Sequence, residues 1–525
     1  MPPSRRAAEQ SLWRIASGLL PATVAVQLLS LGSSLALALL LGASDQTDAY
    51  YLALSVPVIV YSILLYAAST GAIPTLTDYV DEHGLGRAAS EVLTVVLFAA
   101  IGLSLVVSAL TFVVLPLVVG SSSHVADLMR PMILELAPYG VTGALAGLLT
   151  AILAVRGRYV AAVAVTGFEP LVKTVLVLLF PRSLGAQALI LGNLIGSVLT
   201  VGCLWWLVSR QGLSLRVLRR PGSAAARTLI KLSVPLLVSQ GALQLNPLVD
   251  RATASGVSRG SVTILELGLR LFSAPILLIG IILVNPLTAT WAARKAATGF
   301  SELSASYARA VLAVVIALPP VIVAGFVLRQ HIAELFYAGG AYTRADIHQT
   351  GAVTGMLLLG LPAQVYVMLI STLFVVQRDT VFPMKIAFVN VIFNAILDIA
   401  LRGPLGVPGV ALSTSFTMTL LCGGFVVEAR RRWGSMGLAQ VWRPLVLAIP
   451  SSAAVAAVGL LAVSLSGASS RLANLTLLVG VALAALAIHA VVLKLGGVSI
   501  SSALPLRFPR RSAAGGPVTP NPGLR

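Results

Sequence analysis

The fold is decided by a pattern that the residues LISTLFVVQRDTVFPMKIA (Leu369–Ala387) show clearly. An apolar run is followed by a short polar turn with an arginine and then by a second apolar run. An apolar run of about 20 residues is long enough to cross a bilayer as a helix. Such runs recur along the chain without the alternation of period two that barrel strands show. The pattern therefore predicts an all-α polytopic membrane protein.

The composition supports this class. The chain is 57% hydrophobic and 10% charged, with a mean hydropathy of +0.95, whereas soluble domains are about 25% charged. Its net charge of +18 comes from basic residues placed between apolar runs. Because the positive-inside rule accounts for that placement, we expect no nucleic-acid partner. Both cysteines, Cys203 and Cys422, fall inside apolar runs, which argues against a disulfide framework or a zinc site.

We predict fourteen transmembrane helices from the apolar runs. They cover Leu19–Leu41, Ala49–Ile73, Val92–Val119, Met132–Val155, Ala161–Phe180, Ala186–Val208, Leu229–Val249, Val262–Ala289, Ala310–Val327, Val353–Val376, Phe382–Leu401, Val407–Val427, Leu445–Leu465 and Leu475–Leu493. With a cytoplasmic N-terminus, roughly two dozen of the 36 Lys and Arg lie on the cytoplasmic side and about eight on the other. Both termini are therefore predicted to be cytoplasmic.

An internal repeat indicates two related halves. LLTAILAVRGRYVAAVAV (Leu148–Val165) resembles the opening stretch at a shift of roughly 220 residues, and Pro57 and Pro275 occupy comparable places. The shift spans an even number of helices, so the two lobes should be related by a pseudo-two-fold axis along the membrane normal. The predicted regions are a cytoplasmic N-terminus (1–18), an N-lobe (19–209), a cytoplasmic linker (210–228), a C-lobe (229–428), helices thirteen and fourteen (429–496) and a disordered basic cytoplasmic tail (497–525).

The strongest group of polar residues within predicted helices is a candidate cation site. Asn394 and Asp398 lie one turn apart on the eleventh helix, Asp250 ends the seventh, and Thr414 lies in the twelfth. Their hard oxygen atoms suit Na⁺ or another hard cation. Hydrogen bonding between helices is the alternative explanation.

Arg270 in the eighth helix cannot be neutralised, so it should face an aqueous cavity and meet an anionic group such as phosphate. The alternative is an internal ion pair with Glu266, four residues earlier. Glu169 and Lys173 repeat this spacing in the fifth helix, where gating or cavity lining is favoured over substrate binding. No nucleophile with a base, phosphate-binding GK[ST] loop or cluster of histidines is found, so neither an enzyme nor a cofactor is expected.

The sequence resembles the MurJ (MviN) lipid II flippases of the MOP exporter superfamily. The resemblance is carried by LLGASDQTDAYYLALSVP (Leu40–Pro57), QLNPLVDRATAS (Gln244–Ser255), RGSVTILELGLRLFSAPILLIGIILVNP (Arg259–Pro286), ELFYAGGAYTRAD (Glu334–Asp346) and the long stretch Leu359–Ser415. It implies two lobes around a central cavity with alternating access, in the bacterial cytoplasmic membrane. It also implies a lipid-linked glycan substrate whose polyprenyl tail stays in the bilayer.

The resemblance further implies cation coupling, with a sodium site at Asp250, Asn394, Asp398, Thr414 and the carbonyl of Val410. The substrate side departs from the family pattern. The family's cavity arginines in the first two helices fall near Ser33 and at Ser55, and only Arg270 is retained, preceded by Leu269 where the family has an acidic residue.

Three functions remain open from the sequence. The first is a cation-coupled flippase for lipid II or a related lipid-linked saccharide. The second is a multidrug or small-metabolite antiporter of the same superfamily, for which the loss of cavity arginines is natural. The third is a non-transporting scaffold whose partners are proteins of cell-envelope synthesis. A lateral opening between helices one and eight and a groove beside helices thirteen and fourteen would favour the flippase.

Overall fold

The computed structural model describes residues 5–78, 85–119, 124–218, 244–280, 300–377, 381–436, 438–466 and 470–498, together with positions 241, 284, 287, 291 and 379. Its helices are α1 (Arg5–Leu41), α2 (Asp45–Asp78), α3 (Leu85–Val119), α4 (His124–Val155), α5 (Tyr159–Val165), α6 (Phe168–Leu179), α7 (Pro181–Leu184), α8 (Gln187–Ser209), α9 (244–255), α10 (Ser261–Ile279), α11 (Phe300–Val327), α12 (Arg329–Tyr337), α13 (Arg344–Val376), α14 (Val381–Leu405), α15 (Val407–Trp433), α16 (Trp442–Leu465) and α17 (Arg471–Leu495).

The described part of the chain contains twelve helical segments long and apolar enough to cross a membrane. The helices α9 and α10 lie where the seventh and eighth spans are predicted. Apart from positions 241, 280, 284 and 287, the remainder of those two spans falls outside the described residues. Most of the predicted linker (210–228) and nearly all of the predicted tail (497–525) fall outside them as well. The prediction of an all-α, multi-pass membrane protein is confirmed.

The helices pack as two lobes and an appended pair. In the N-lobe, α4 packs against α2, α3 and α8, and α6 packs between α1 and α8. In the C-lobe, α13 is central and contacts α10, α11 and α15, while α14 packs on α15. The appended helices α16 and α17 pack against each other and against α11. The lobes meet where α2 contacts α10 and where α1 contacts α10 and α12.

Most helices are longer than their apolar runs. Helix α1 begins at Arg5 rather than Leu19, and α13 begins at Arg344 rather than Val353. The added turns contain Arg, Gln, Glu and Ala, which are good helix formers. Because these turns are polar, hydropathy alone could not assign them to a helix.

The fifth predicted helix, Ala161–Phe180, is divided into α5 and α6. Thr166 and Gly167 donate backbone hydrogen bonds to Val163 and Ala164, which is the tighter three-residue pattern. Pro170 follows in the first turn of α6, where its missing N–H cannot continue the bonding of the preceding turn. The break bends this span beside the cavity described below.

One end of the molecule is closed by a glycine-rich loop, and we call it the Gly42 end. The turn between α1 and α2 contains Gly42 (φ +65°), and the Ala341 N–H donates to the Leu39 carbonyl at 2.7 Å. Gly340 has φ +62°, and a Cβ atom there would lie 1.9 Å from the Leu39 oxygen, so this contact requires glycine. The opposite end carries the turn at Gly157 between α4 and α5, and we call it the Gly157 end.

Candidate substrate cavity and cation site

Three helices of the C-lobe bring the predicted cation ligands together. The Asn394 amide nitrogen donates to Asp250 Oδ1 at 2.5 Å and to Asp398 Oδ2 at 3.2 Å. The Thr414 hydroxyl donates to Asp250 Oδ2 at 3.3 Å and to the Val410 carbonyl at 3.2 Å. Asp250, Asn394 and Asp398 are buried. All five residues therefore contribute polar groups to one buried cluster.

Two further hydroxyls belong to this cluster. Ser413 donates to Asp398 Oδ1, and Thr417 donates to Asn394 Oδ1 at 3.0 Å. Sequence reasoning named only Thr414 among the hydroxyls of α15. The signal that could have found the others is their spacing, since Ser413 and Thr417 lie four residues apart and share a helix face.

The cluster has the chemistry of a site for a hard monovalent cation. Two buried carboxylates held close together repel each other unless a cation or a proton compensates them. The side chains add hydroxyl oxygens, and Val410 adds a main-chain oxygen, which are the donors hard cations prefer. The amide nitrogen of Asn394 donates to both carboxylates. Rotating the side-chain amide by a half-turn would instead direct its oxygen toward a cation bound between them. In the described part of the chain, no group of three or more His, Cys, Asp or Glu residues is placed to hold a metal ion.

A cavity of about 230 Å³ lies between α1, α2, α6 and α10. Its charged lining residues are Glu169, Lys173 and Arg270. Arg270 Nη1 donates to Ser30 Oγ at 3.2 Å, so the two lobes meet across the cavity. The other lining residues are Val26, Gln27, Ser33, Ser34, Leu37, Tyr50, Tyr51, Leu54, Tyr61, Thr166 and Pro170. Ser33, Glu169, Lys173 and Arg270, four of the residues named for the substrate cavity, thus line one cavity.

The cavity's acidic group is held in place by the N-lobe. The Tyr139 hydroxyl donates to Glu169 Oε1 at 2.8 Å, and the Tyr61 ring stacks on the Tyr139 ring at 4.7 Å between centroids. A Cβ atom at Gly192 would lie 2.6 Å from Lys173 Cα, so α8 and α6 are in close contact. This contact positions Lys173 at the cavity wall.

Ser55 and Glu266, which the sequence assigned to the substrate cavity, are instead bound by Arg251. Arg251 Nε donates to Glu266 Oε1 at 2.5 Å, and Arg251 Nη1 donates to Ser55 Oγ at 2.9 Å. The alternative of a Glu266–Arg270 pair is therefore wrong. Glu266 forms its ion pair with Arg251 of α9, and Arg270 lines the cavity. None of these three bound residues lines the 230 Å³ cavity.

Arg251 is the functional candidate that the sequence reasoning missed. Its side chain is 17% exposed, and Asp250 is the second acidic group, after Glu266, that stabilises its charge. The available signal was an arginine at the end of a predicted helix, directly after Asp250, with an acidic residue, Glu266, in the next predicted helix.

An aspartate of the N-lobe caps a helix of the C-lobe at the Gly42 end. Asp48 Oδ1 accepts hydrogen bonds from the Thr263 N–H at 2.8 Å and from the Thr263 hydroxyl at 2.7 Å. Helix α10 has Gly260 at its N-cap and so no capping side chain of its own. Asp48 supplies that cap, and its negative charge suits the helix N-terminus. Arg259 and Asp45 add an exposed ion pair at 3.7 Å.

Replacing Asp48 with alanine is expected to open the Gly42 end. The Thr263 N–H would lose its acceptor, and the Thr263 hydroxyl would keep only Thr47. An unsatisfied buried donor costs about 1–3 kcal/mol, which raises the ratio of open to closed molecules about 5- to 150-fold. The measurement is the distance distribution between spin labels at Gln46→Cys and Ala345→Cys, two exposed positions on opposite lobes. Asp127→Ala is the matched control, because Asp127 is an exposed first-turn aspartate of its own helix. An unchanged distribution in Asp48→Ala would contradict this role.

A groove of about 600 Å³ opens on the surface between α16 and α17. Its lining residues are mostly small or aliphatic: Val458, Ala462, Ser466, Ala473, Thr476, Leu477, Gly480, Val481 and Ala484. The groove lies beside the helices that correspond to the predicted thirteenth and fourteenth spans. Its width follows from the small side chains, since Gly480 has no neighbouring atom within 4 Å of the position of a Cβ.

Two helical lobes with a polar cavity between them and an appended helix pair define a multi-pass membrane protein with a transporter fold. A family model described as "Lipid II flippase MurJ" matches residues 37–485. The chain therefore belongs to the lipid II flippase MurJ family.

Similar proteins agree with this assignment. A probable lipid II flippase MurJ of Rhizobium meliloti (strain 1021) is 26% identical over 492 residues, covering 88% of this chain and 90% of the relative. A solved structure of lipid II flippase MurJ in an inward closed conformation matches with a TM-score of 0.74 at 18% identity, covering 90% of this chain and 97% of that chain. An inward-facing multidrug resistance MATE family transporter of the MOP superfamily matches with a TM-score of 0.63 at 15% identity, covering 82% and 99%. The two structural matches show a shared fold.

Proposed function

We propose that this protein moves a polyprenyl-(di)phosphate-linked glycan to the outer leaflet of the bacterial cytoplasmic membrane, with lipid II or a related lipid-linked saccharide as its substrate. It works by alternating access coupled to Na⁺ or to the membrane potential. The observation that carries the proposal is the cavity between the lobes, which places Arg270 and Lys173 together and lies beneath the closed Gly42 end.

Charge distribution supports an orientation with the Gly157 end in the cytoplasm. Arg156, Arg158 and Arg210 lie at that end, as do the three arginines Arg430–Arg432 at the end of α15. The positive-inside rule assigns such a face to the cytoplasm. The Gly42 end then faces outward, and the structure corresponds to a state closed to the outside, with both termini in the cytoplasm.

The cavity's charges suit an anionic headgroup. Arg270 and Lys173 contribute two positive charges and Glu169 one negative charge, so the net charge of the lining is positive. Guanidinium and ammonium groups bind phosphate oxygens through charge-assisted hydrogen bonds. Lys173 offers a second cation in a cavity where Ser33 stands in place of an expected arginine. Tyrosines and serines around these charges provide hydroxyls for a glycan.

The groove between α16 and α17 suits a polyprenyl chain. It is open to the surface and mostly apolar, as a lipid tail that stays in the bilayer requires. The buried pair Asp250 and Asp398 supports cation coupling, because their charges need a compensating ion. Na⁺ bound there would neutralise charge inside the C-lobe without touching the headgroup cavity.

A cation-coupled multidrug or small-metabolite antiporter is the second candidate. Two observations favour it: the shared fold with the multidrug resistance MATE family transporter, and the serines at positions 33 and 55. Such a transporter has no need of a groove for a lipid tail.

The test is transport of a fluorescent undecaprenyl-diphosphate-linked muropeptide in proteoliposomes, with and without a Na⁺ gradient. Protein-dependent flipping that increases with the gradient is the expected result. If that lipid is not flipped while a cationic dye is exported against the same gradient, the antiporter replaces the flippase.

A further inference from the structure

The bridge made by Arg251 joins three helices and both lobes. Arg251 on α9 donates to Glu266 on α10 and to Ser55 on α2, and Ser55 belongs to the N-lobe. Ser55 is fully buried, and the Arg251 and Glu266 side chains are 17% and 8% exposed. A guanidinium shielded from water in this way makes strong hydrogen bonds, and losing any partner leaves a buried polar group unsatisfied.

The same helix turn carries a ligand of the candidate cation site. Asp250 directs its carboxylate to Asn394 and Thr414, while its neighbour Arg251 points to α10 and α2. Of all groups that bridge the lobes through described contacts, Arg251 is the one adjacent in the chain to a residue of the cation cluster. A movement of Asp250 is therefore transmitted through the next residue, Arg251, to the contact between the two lobes.

We propose that Arg251 is the positioning residue through which occupancy of the Asp250–Asp398 pair controls the closure of the Gly42 end. This inference rests on the proposed cation-coupled transport. It assigns a role to a side chain that touches neither the ion nor the headgroup.

The direction of the coupling follows from the charges. With both carboxylates ionised and no cation present, the negative cluster draws the Arg251 guanidinium away from Glu266 and Ser55. The contact with α2 then weakens, and the Gly42 end opens. A bound cation cancels that attraction, so Arg251 is held by Glu266 and Ser55, and the Gly42 end closes.

This direction fits an exchange cycle. A cation that enters from the side of the Gly42 end would bind the open state and close it behind itself. The transporter would then face the opposite side, where it releases the ion and receives the next headgroup. The ligand shifts the equilibrium only because it favours the closed state.

The experiment uses the full chain in lipid nanodiscs, with Cys203 and Cys422 replaced by serine and spin labels at Gln46→Cys and Ala345→Cys. Distances between the labels are recorded during a Na⁺ titration, and Na⁺ binding is measured separately with radioactive ²²Na⁺. In the otherwise unmodified chain, saturating Na⁺ is expected to raise the ratio of closed to open molecules about fivefold or more.

Arg251→Gln is expected to bind Na⁺ but to reduce this shift to less than about twofold. Arg259→Gln is the matched control. This variant removes the exposed ion pair between Arg259 and Asp45, which also joins the two lobes. Neither residue is adjacent in the chain to a residue of the cation cluster, so the variant should keep the full Na⁺-dependent shift. If Arg251→Gln does not fold, Ser55→Ala replaces it in the test. This variant removes only the acceptor on α2, and it too is expected to bind Na⁺ with a reduced shift.

A full Na⁺-dependent shift in Arg251→Gln and Ser55→Ala, with Na⁺ bound, would overturn this inference and leave the proposed transport intact. If the unmodified chain binds no Na⁺, or binds it without a shift, then cation coupling fails and the inference fails with it. The flipping assay reports separately on transport itself.

Discussion

Replacing Asp398 with alanine is expected to lower the affinity for Na⁺ by about 100-fold or more and to remove the dependence of transport on a Na⁺ gradient. The variant deletes one of two buried carboxylates and removes the hydrogen bond from Ser413 to Asp398, so that Ser413 keeps only the Val410 carbonyl as acceptor. Binding of ²²Na⁺ to purified protein and gradient-driven flipping in proteoliposomes are the two measurements.

Asp398→Asn is the matched variant, because it keeps the size of the side chain and loses only the charge. It should show nearly the same loss of Na⁺ affinity as Asp398→Ala, with a smaller loss of thermal stability. Unchanged Na⁺ affinity in both folded variants would show that the cluster serves only to join helices through hydrogen bonds.

Replacing Arg270 with alanine is expected to weaken binding of the lipid-linked substrate about 10- to 150-fold. The reason is the loss of a charge-assisted hydrogen bond worth about 1.5–3 kcal/mol. Flipping at low substrate concentration should fall by a similar factor, and Arg270→Lys should recover part of it by restoring the charge without the planar fork. The affinity for undecaprenyl diphosphate without its glycan measures the anion contribution directly.

Arg402→Ala is the control for Arg270→Ala. Arg402 is an exposed arginine in the last turn of α14 and does not line the cavity. Equal affinity of Arg270→Ala and the unmodified chain for undecaprenyl diphosphate would refute a role of Arg270 in binding the anion, although the cavity could still admit a neutral or cationic substrate.

Apolar runs were sufficient to predict the twelve candidate membrane spans of the described residues but not their ends. The prediction for α15 began at Val407, as observed, because Gly406 and Pro408 mark the start of a helix. The prediction for α1 began fourteen residues late, since its first turns are polar. Polar turns of a helix that emerge from a membrane have the same composition as a loop, so only the three-dimensional structure distinguishes them.

The part of the cation cluster that lies on a single helix was predictable from the sequence. The spacing of Asn394 and Asp398 places them on one face of α14. Ser413, Thr414 and Ser415 are consecutive hydroxyls on α15, and the rotation of that helix decides which of them face the carboxylates. That rotation follows from packing against α13 and α14, which no local pattern reveals.

The partner of Glu266 was not predictable from local spacing. An i,i+4 arginine is a reasonable partner on an exposed helix, where such pairs contribute about 0.2–0.5 kcal/mol. In the buried contact between lobes, Arg251 makes two hydrogen bonds that Arg270 does not replace. A weak local preference was outweighed by a contact between residues that are far apart in the chain.

The cap that Asp48 places on α10 makes one backbone hydrogen a reporter of the working cycle. Thr263 lies in the first turn of α10, where amides have no acceptor within their own helix. Its N–H is protected from exchange with deuterated solvent only while Asp48 of the other lobe covers it. The exchange rate of this single amide therefore measures how often the two lobes separate, without any label or substrate.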